Sequence, residues 1–371
     1  MSWIHAEDLP DIAFGAAVLG TGGGGDPHIG QLMAAASIRR SGPVELIRLD
    51  DLNDDDLVVP VGMMGAPTVM LEKLPSGQEA LLALRTLETH LGKRVKALLS
   101  VEAGGLNSTI PIGVASELGL PLVDADGMGR AFPELQMVVM TLHGIKATPM
   151  GMADEKGNAA LIETIDNRWT ERLARTMTIE MGGSSLTALY PMTGKQAKVA
   201  TIPGTITLLA KIGRAAREAR QAHGDPVEAV RAITGGFYLF KGKVRDVSRR
   251  TVGGFARGTA IIEGLDSCSG QQCHLDFQNE NLIATRDGEV LASVPDLITA
   301  LDAESGEPIT TETLRYGMRV VVLGMPCDAQ WRSAAGLKLV GPQYFGYDVP
   351  FVPVESRFPA QSVGIELAGV S

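Results

Sequence analysis

RVKALLSVEAGGLN, Arg94 to Asn107, is the stretch on which the fold turns. Its continuous apolar run, closed by a glycine pair, reads as a strand buried on both faces that opens into a loop. The same signature recurs in VELIRL (Val44–Leu49), LVVPVGMMG (Leu57–Gly65), PLVDADGMGR (Pro121–Arg130) and MVVMTLHGI (Met137–Ile145). Between these runs, Asp8–Leu19, His28–Ile38, Glu79–Leu91 and Asn107–Leu118 carry helical spacing, with Gly119 placed as a C-terminal stop. Strands alternating with helices predict an α/β fold, a mostly parallel sheet with helices on both faces. Two more helices are expected over Arg168–Met181 and Ile206–Ala222. Beyond His223-Gly224-Asp225-Pro226 the character changes to short β-like runs separated by turn signals such as RDGE. The expected organisation is therefore an α/β domain over 1–224 and a second, β-rich domain over 225–371. The residues after Glu355 read as a poorly tied tail.

Composition narrows the function classes. A hydrophobic fraction of 45% with 20% charged residues is that of a globular chain with a large core. A net charge of -10 lacks the basic face that nucleic acid or a membrane surface would require. No apolar run approaches the roughly 18 residues of a bilayer span. The first twenty residues carry acids and no Lys or Arg before their apolar part, so no signal peptide is expected. The expectation is a cytoplasmic protein with a small-molecule partner, open to homo-oligomer formation. Three cysteines, Cys268, Cys273 and Cys327, fit a reducing compartment. Cys268, Cys273 and His274 cluster in SCSGQQCH, but the spacing lacks a second ligand pair, so no metal site is expected. No cofactor is assigned by the sequence.

In an open parallel sheet, ligands collect beyond the carboxyl ends of the strands. Three such ends, MMGAPTV, VEAGGLNST and VDADGMGRAFPELQM, would bring Glu102, Asn107, Ser108, Asp124, Asp126, Arg130 and Glu134 to one rim. Glycines between them, Gly105 and Gly127 among others, would let backbone N–H groups approach a ligand. Carboxylates beside an arginine offer acid/base chemistry and anion recognition together. Each residue also has a structural reading. Asn107 or Ser108 would cap a helix, Asp124 and Asp126 would brace a glycine turn, and Arg130 with Glu134 would form a surface i,i+4 pair. His143 is expected as a core histidine in an apolar strand.

The N-terminal GTGGGGDP contains a formal Gly-x-Gly-x-x-Gly at Gly20, Gly22 and Gly25. A dinucleotide fingerprint needs a strand before it and a helix opening inside it, whereas the residues before Gly20 are Ala-rich and helical. The Gly-Lys-Ser/Thr of a phosphate loop is absent, as is the Gly-x-Ser-x-Gly of a serine hydrolase elbow. The run Gly22, Gly23, Gly24, Gly25 is read instead as one wall of a small polar pocket, with Asp26 fixing it.

GTGGGGDP, VEAGGLNS, LPLVDADGMGRAFPELQM, LYPMTG, IPGT, DFQNENLIA and GLKLVGPQYFGYDVPFVPVE occur in this order along nearly the whole chain. In these motifs the sequence resembles the S-methyl thiohydantoin desulfurase family, which is associated with hydantoin utilisation. The resemblance implies chemistry on a five-membered S-methyl thiohydantoin or related ring, in which a thiolate leaving group is replaced hydrolytically. Glycine-loop N–H groups would serve the ring carbonyls. Glu102, Asp124 and Asp126 are the acids available to activate water or move the ring proton. No cysteine falls in a quoted motif; Cys327 is the thiol to consider. A non-catalytic binding or regulatory protein of the same pathway is the competing expectation.

Overall fold

The computed structural model describes residues 1–65 and 77–359. The Ala66–Val69 part of the MMGAPTV loop, and the tail beyond residue 359, lie outside these residues.

The first sheet runs, in spatial order, Trp3–Ile4, Val44–Ile47, Leu122–Asp126, Ala97–Ser100, Leu57–Gly65, Ser184–Ala188, Met150–Ala153, Ala159–Ile162. From Val44–Ile47 to Leu57–Gly65 the pairings are parallel, and beyond Leu57–Gly65 they are antiparallel. Ala97, Leu98 and Leu99 are buried in succession, as are Val58 and Val59. Since consecutive strand residues face opposite sides, both faces of this core are covered.

The helix Leu9–Leu19 delivers the chain to the glycine run and lies tightly against Thr205–Gln221. Gly15 sits on the Leu209 backbone and Gly213 on that of Asp11, so neither position has room for a side chain. Arg217 closes the same contact with two hydrogen bonds to Asp11, at 2.9 and 2.8 Å. This pairing fixes the first half of the helix whose far end leads into Gly20.

The second sheet is antiparallel throughout, in the order Glu289–Ser293, Glu280–Arg286, Gln272–Gln278, Phe255–Gly264, Phe237–Val252, Arg319–Met325, Leu297–Asp302, Pro308–Ile309. RDGE forms the expected hairpin turn, with Asp287 and Gly288 both at positive φ, 49° and 90°. Along Arg319–Met325 burial alternates. Val321 and Leu323 join the core of the first sheet, while Val320 and Val322 belong to a separate core on the other face. One face of the second sheet is thus packed against the α/β part.

MVVMTLHGI is not a strand. It forms a loop around a single helical turn, Val139–Leu142. Its backbone is satisfied locally, through Val139 N–H to the Gly127 carbonyl (2.8 Å) and Met137 N–H to Glu134 (3.0 Å). Val138, Val139 and Met140 are fully buried, so burial alone accounts for the apolar run that resembled a strand. His143 is exposed rather than in the core, its ring nitrogen 2.8 Å from the Gln330 side chain. The helix expected from Asn107 begins at Ile110, because Asn107 and Ser108 are engaged elsewhere.

Candidate functional site: a cleft between glycine backbone and two buried glutamates

Three strand ends of the first sheet do converge. Gly62–Gly65, Val101–Asn107 and Met128–Leu135 meet in a cleft whose empty space, open mouth included, is about 670 Å³. The glycine run supplies one wall through Gly24 and Gly25. The second domain supplies Asn279 and Glu280, at the turn between Gln272–Gln278 and Glu280–Arg286.

The glycine run is stitched to both parts of the molecule. Its Thr21 and Gly22 carbonyls accept from the amides of Asn281 and Thr311, each at 2.8 Å. Its Gly24 carbonyl accepts from Leu106 N–H at 2.8 Å. A side chain at Gly24 would come within 2.5 Å of Gly104 Cα, and φ there is +78°. Asp26 caps the following helix, Pro27–Ser41, accepting from His28 N–H at 2.8 Å.

Glu102 leaves the end of Ala97–Ser100 and is buried. Asn107 holds it, donating to Oε1 at 2.8 Å. The same Asn107 accepts from Met63 N–H (2.6 Å) and donates to Met63 carbonyl (3.2 Å), which fixes the carboxylate relative to the adjacent strand end. Burial pushes the Glu102 carboxyl up to about 7, against the opposing pull of Asn107 and the Phe132 amide. Ser108 is structural within the loop, accepting from Gly104 N–H at 3.1 Å and donating to the Glu102 carbonyl at 3.3 Å.

Glu280 is the residue that sequence reasoning missed. It is buried, it lines the cleft, and among the described residues its Oε2 has no hydrogen-bond partner. Burial raises its affinity for a proton well above the ordinary carboxylate range, and the charge of Glu102 raises it further; Arg130 pulls the other way. The available signal was the polar triplet Asn279-Glu280-Asn281 inside LDFQNENLIA, all three buried where the flanking strands are apolar.

Arg130 does not form a surface pair with Glu134. Its fully buried guanidinium crosses to the second domain, donating to the carbonyls of Pro295 and Asp296 at 2.8 Å each and to Thr21 Oγ1 at 3.0 Å. Burial lowers it to about 10, while Glu280, Asp296 and Glu102 support its charge. Glu134 lines the mouth and accepts from the Tyr344 hydroxyl at 2.9 Å.

Asp124 and Asp126 lie outside the cleft lining. Asp124 accepts from Thr207 N–H at 3.0 Å and from its hydroxyl, in the first turn of Thr205–Gln221. Asp126 accepts from Met128 N–H (2.9 Å), Gly129 N–H (2.7 Å) and the Thr205 hydroxyl (2.7 Å), the turn-bracing arrangement. Burial raises Asp126 to about 6. Gly127 packs on the Val101 carbonyl and the Met140 side chain, and Gly105 on the Gly25 carbonyl. Gly22 and Gly23 face Asn281 with Thr311, and Glu280, respectively. Cys327 is absent from the lining, and burial with the neighbouring Asp296 pushes its thiol up to about 12. A resting thiolate nucleophile is therefore disfavoured there.

Fold and cleft together define a two-domain protein, α/β followed by antiparallel β, with a cleft at the junction that holds a buried carboxylate from each part. The chain belongs to the S-Me-THD-like family: the N-terminal domain of that family matches residues 7–164 and its C-terminal domain matches residues 165–354. It is also similar to a protein from Chromobacterium violaceum whose crystal structure is known, at 25% identity and a TM-score of 0.80, covering 95% of this chain and 100% of that one. No curated protein matches. Among the described residues, no helix is long and apolar enough to cross a membrane.

Proposed function

We propose that the protein is an enzyme acting hydrolytically on a hydantoin- or thiohydantoin-like five-membered ring, with Glu102 and Glu280 as its acid–base pair. The observation that carries this is the pair itself: two buried carboxyls lining one cleft, both held above the ordinary carboxylate range by burial, with the charge of Glu102 raising the hold of Glu280 on its proton further. Such a pair retains one proton near neutrality, so that one member is a base while the other is an acid. Membership of the S-Me-THD-like family supports the ring class.

For an S-methyl thiohydantoin the step balances with water as the only co-reactant. Water adds to the ring carbon bearing sulfur as the ionised carboxylate takes its proton. The C–S bond then breaks, and the protonated carboxyl delivers its proton to the departing methanethiolate. One water proton ends on methanethiol, the other on the ring nitrogen, and the oxygen remains as a ring carbonyl. Asn107 positions Glu102, and the backbone at Gly24 and Gly25 allows a flat ring to approach closely.

The test is turnover of an S-methyl thiohydantoin in ¹⁸O-water, followed by mass spectrometry. One ¹⁸O in the hydantoin with matching methanethiol supports the reading. Ligand binding without any product would make the protein a binding component instead.

A further inference from the structure

Glu280 enters the cleft from a turn whose backbone is held in an uncommon shape. Asn279 stands at φ +57°, a left-handed conformation that non-glycine residues seldom adopt and that persists where surrounding contacts over-determine it. Ala256 meets this residue twice. Its carbonyl accepts from Asn279 N–H at 2.7 Å, and its N–H donates to Asn279 Oδ1 at 2.9 Å. On the far side of the glutamate, Asn281 N–H donates to the Thr21 carbonyl at 2.8 Å and its side chain to the Ile298 carbonyl at 2.9 Å.

Thr311 completes this frame. It lies between the strands Pro308–Ile309 and Arg319–Met325 and is buried, at 2% exposure. Its hydroxyl donates to the Asn279 carbonyl at 2.5 Å, and its N–H donates to the Gly22 carbonyl at 2.8 Å. The first carbonyl belongs to the peptide that leads into Glu280. The second belongs to the peptide that leads into Gly23, against which the Glu280 carboxylate rests. The Thr311 methyl packs on Gly22, where an added Cβ would come within 2.8 Å of it. Arg249 donates to the carbonyls of Thr311 and of Leu314, the latter at 2.9 Å, and so ties this segment to the long strand Phe237–Val252. One residue thus sets the glutamate and its seat relative to each other.

A hydroxyl deleted at a buried position is not replaced by solvent unless the junction opens, and the Asn279 carbonyl would lose its donor. The Asn279 peptide could then turn and carry Glu280 with it. A misplacement of about 1 Å can cost a reaction about 10²-fold in rate.

We infer that Thr311 is a positioning residue for the reaction: its hydroxyl and its N–H together hold Glu280 on its Gly23 seat, in the cleft that Glu102 also lines. This rests on the acid–base role proposed for Glu280 above.

The test measures methanethiol release from one S-methyl thiohydantoin, with ring affinity by calorimetry and a thermal melt, for Thr311→Ser, Thr311→Ala and Thr311→Val. The Ser and Ala variants both lack the methyl and differ only in the hydroxyl, so comparing them holds packing constant. Thr311→Ser is expected to keep kcat within about threefold of the original, whereas Thr311→Ala loses about tenfold or more in kcat with KM and ring affinity within about threefold. Thr311→Val, which restores the volume without the hydroxyl, is expected to match Thr311→Ala; with two hydroxyl-free variants the comparison stands even if one of them folds poorly. Equal kcat in the Ser variant and a folded hydroxyl-free variant, or a loss confined to KM, would overturn the inference while leaving the acid–base reading standing. If the unaltered protein releases no methanethiol, that reading itself fails and the inference falls with it.

Discussion

A Cβ on Gly23 would land on the carboxylate of Glu280, two residues more than 250 positions apart in the chain. The glycine run therefore serves as the seat on which the second domain's glutamate rests. Gly23→Ala is expected to displace that carboxylate, since the flexible end of a side chain yields before backbone does. The consequence is a fall in turnover of tenfold or more, roughly the effect of misplacing a general acid or base, with a stability cost of about 1–3 kcal/mol. Kinetics together with a thermal melt check it.

Gly24→Ala should cost stability more than Gly23→Ala does. Its added methyl meets the Gly104 backbone at 2.5 Å and is held at φ +78°, so nothing flexible can give way. Stability is expected to drop by more than it does for Gly23→Ala, read from the midpoints of urea unfolding curves. A milder effect at Gly24 than at Gly23 would contradict the packing described for the loop.

The pH dependence of stability follows from Glu102. Its carboxyl is raised from an ordinary 4.5 to about 7 in the folded protein. Between those values the folded state binds more protons than the unfolded state, so stability falls as pH rises through this window. The loss from this group is on the order of 3 kcal/mol once pH exceeds its folded value. Asp126, raised to about 6, adds in the same direction. Glu102→Gln is expected to flatten the fall, retaining the Asn107 contact while removing the titration. Denaturation at pH 5 and pH 8.5 tests this, and an unchanged slope in the variant would contradict it.

Asp124 and Asp126 separate structural from chemical acids. Asp124→Asn should cost about 1 kcal/mol, as lost helix-terminal acceptors usually do, with little change in turnover. Asp126→Asn turns an amide toward the N–H groups of Met128 and Gly129 or forfeits the Thr205 bond, and is expected to destabilise more. Loss of all turnover in a fully folded Asp124→Asn would return that residue to the chemistry.

Much of the fold was legible because its signals are local. The helices expected over Arg168–Met181 and Ile206–Ala222 occur at Asn167–Glu180 and Thr205–Gln221, and Glu79–Leu91 occurs as expected. Capping acts within a few residues: Asp166 accepts from Trp169 N–H at 2.9 Å. The Met137–Ile145 run failed because an apolar pattern reports burial, and a loop locked by its own turn bonds is buried as fully as a strand. The strands Met150–Ala153 and Ser184–Ala188 carry no strand signal, since MGMA and SSLTA are short and rich in small residues. At the site, Glu102 and Asn107 could be found from a strand end. Glu280 had only the polar triplet Asn279-Glu280-Asn281 to mark it, and nothing local placed it at the cleft, because only the packing of the second sheet on the first brings it there. Arg130 stands out in the sequence by its charge, but its partners are carbonyls of Pro295 and Asp296, which no sequence spacing reveals.

The most direct test of the central claim compares Glu102→Gln and Glu280→Gln with the unaltered protein on one S-methyl thiohydantoin, measuring methanethiol release and ligand affinity together. Both variants are expected to remain folded and to bind the ring within severalfold of the original. Each should lose turnover by about 10²–10⁴, the usual contribution of a positioned acid or base. Near-normal turnover in Glu280→Gln, with its fold intact, would contradict the account.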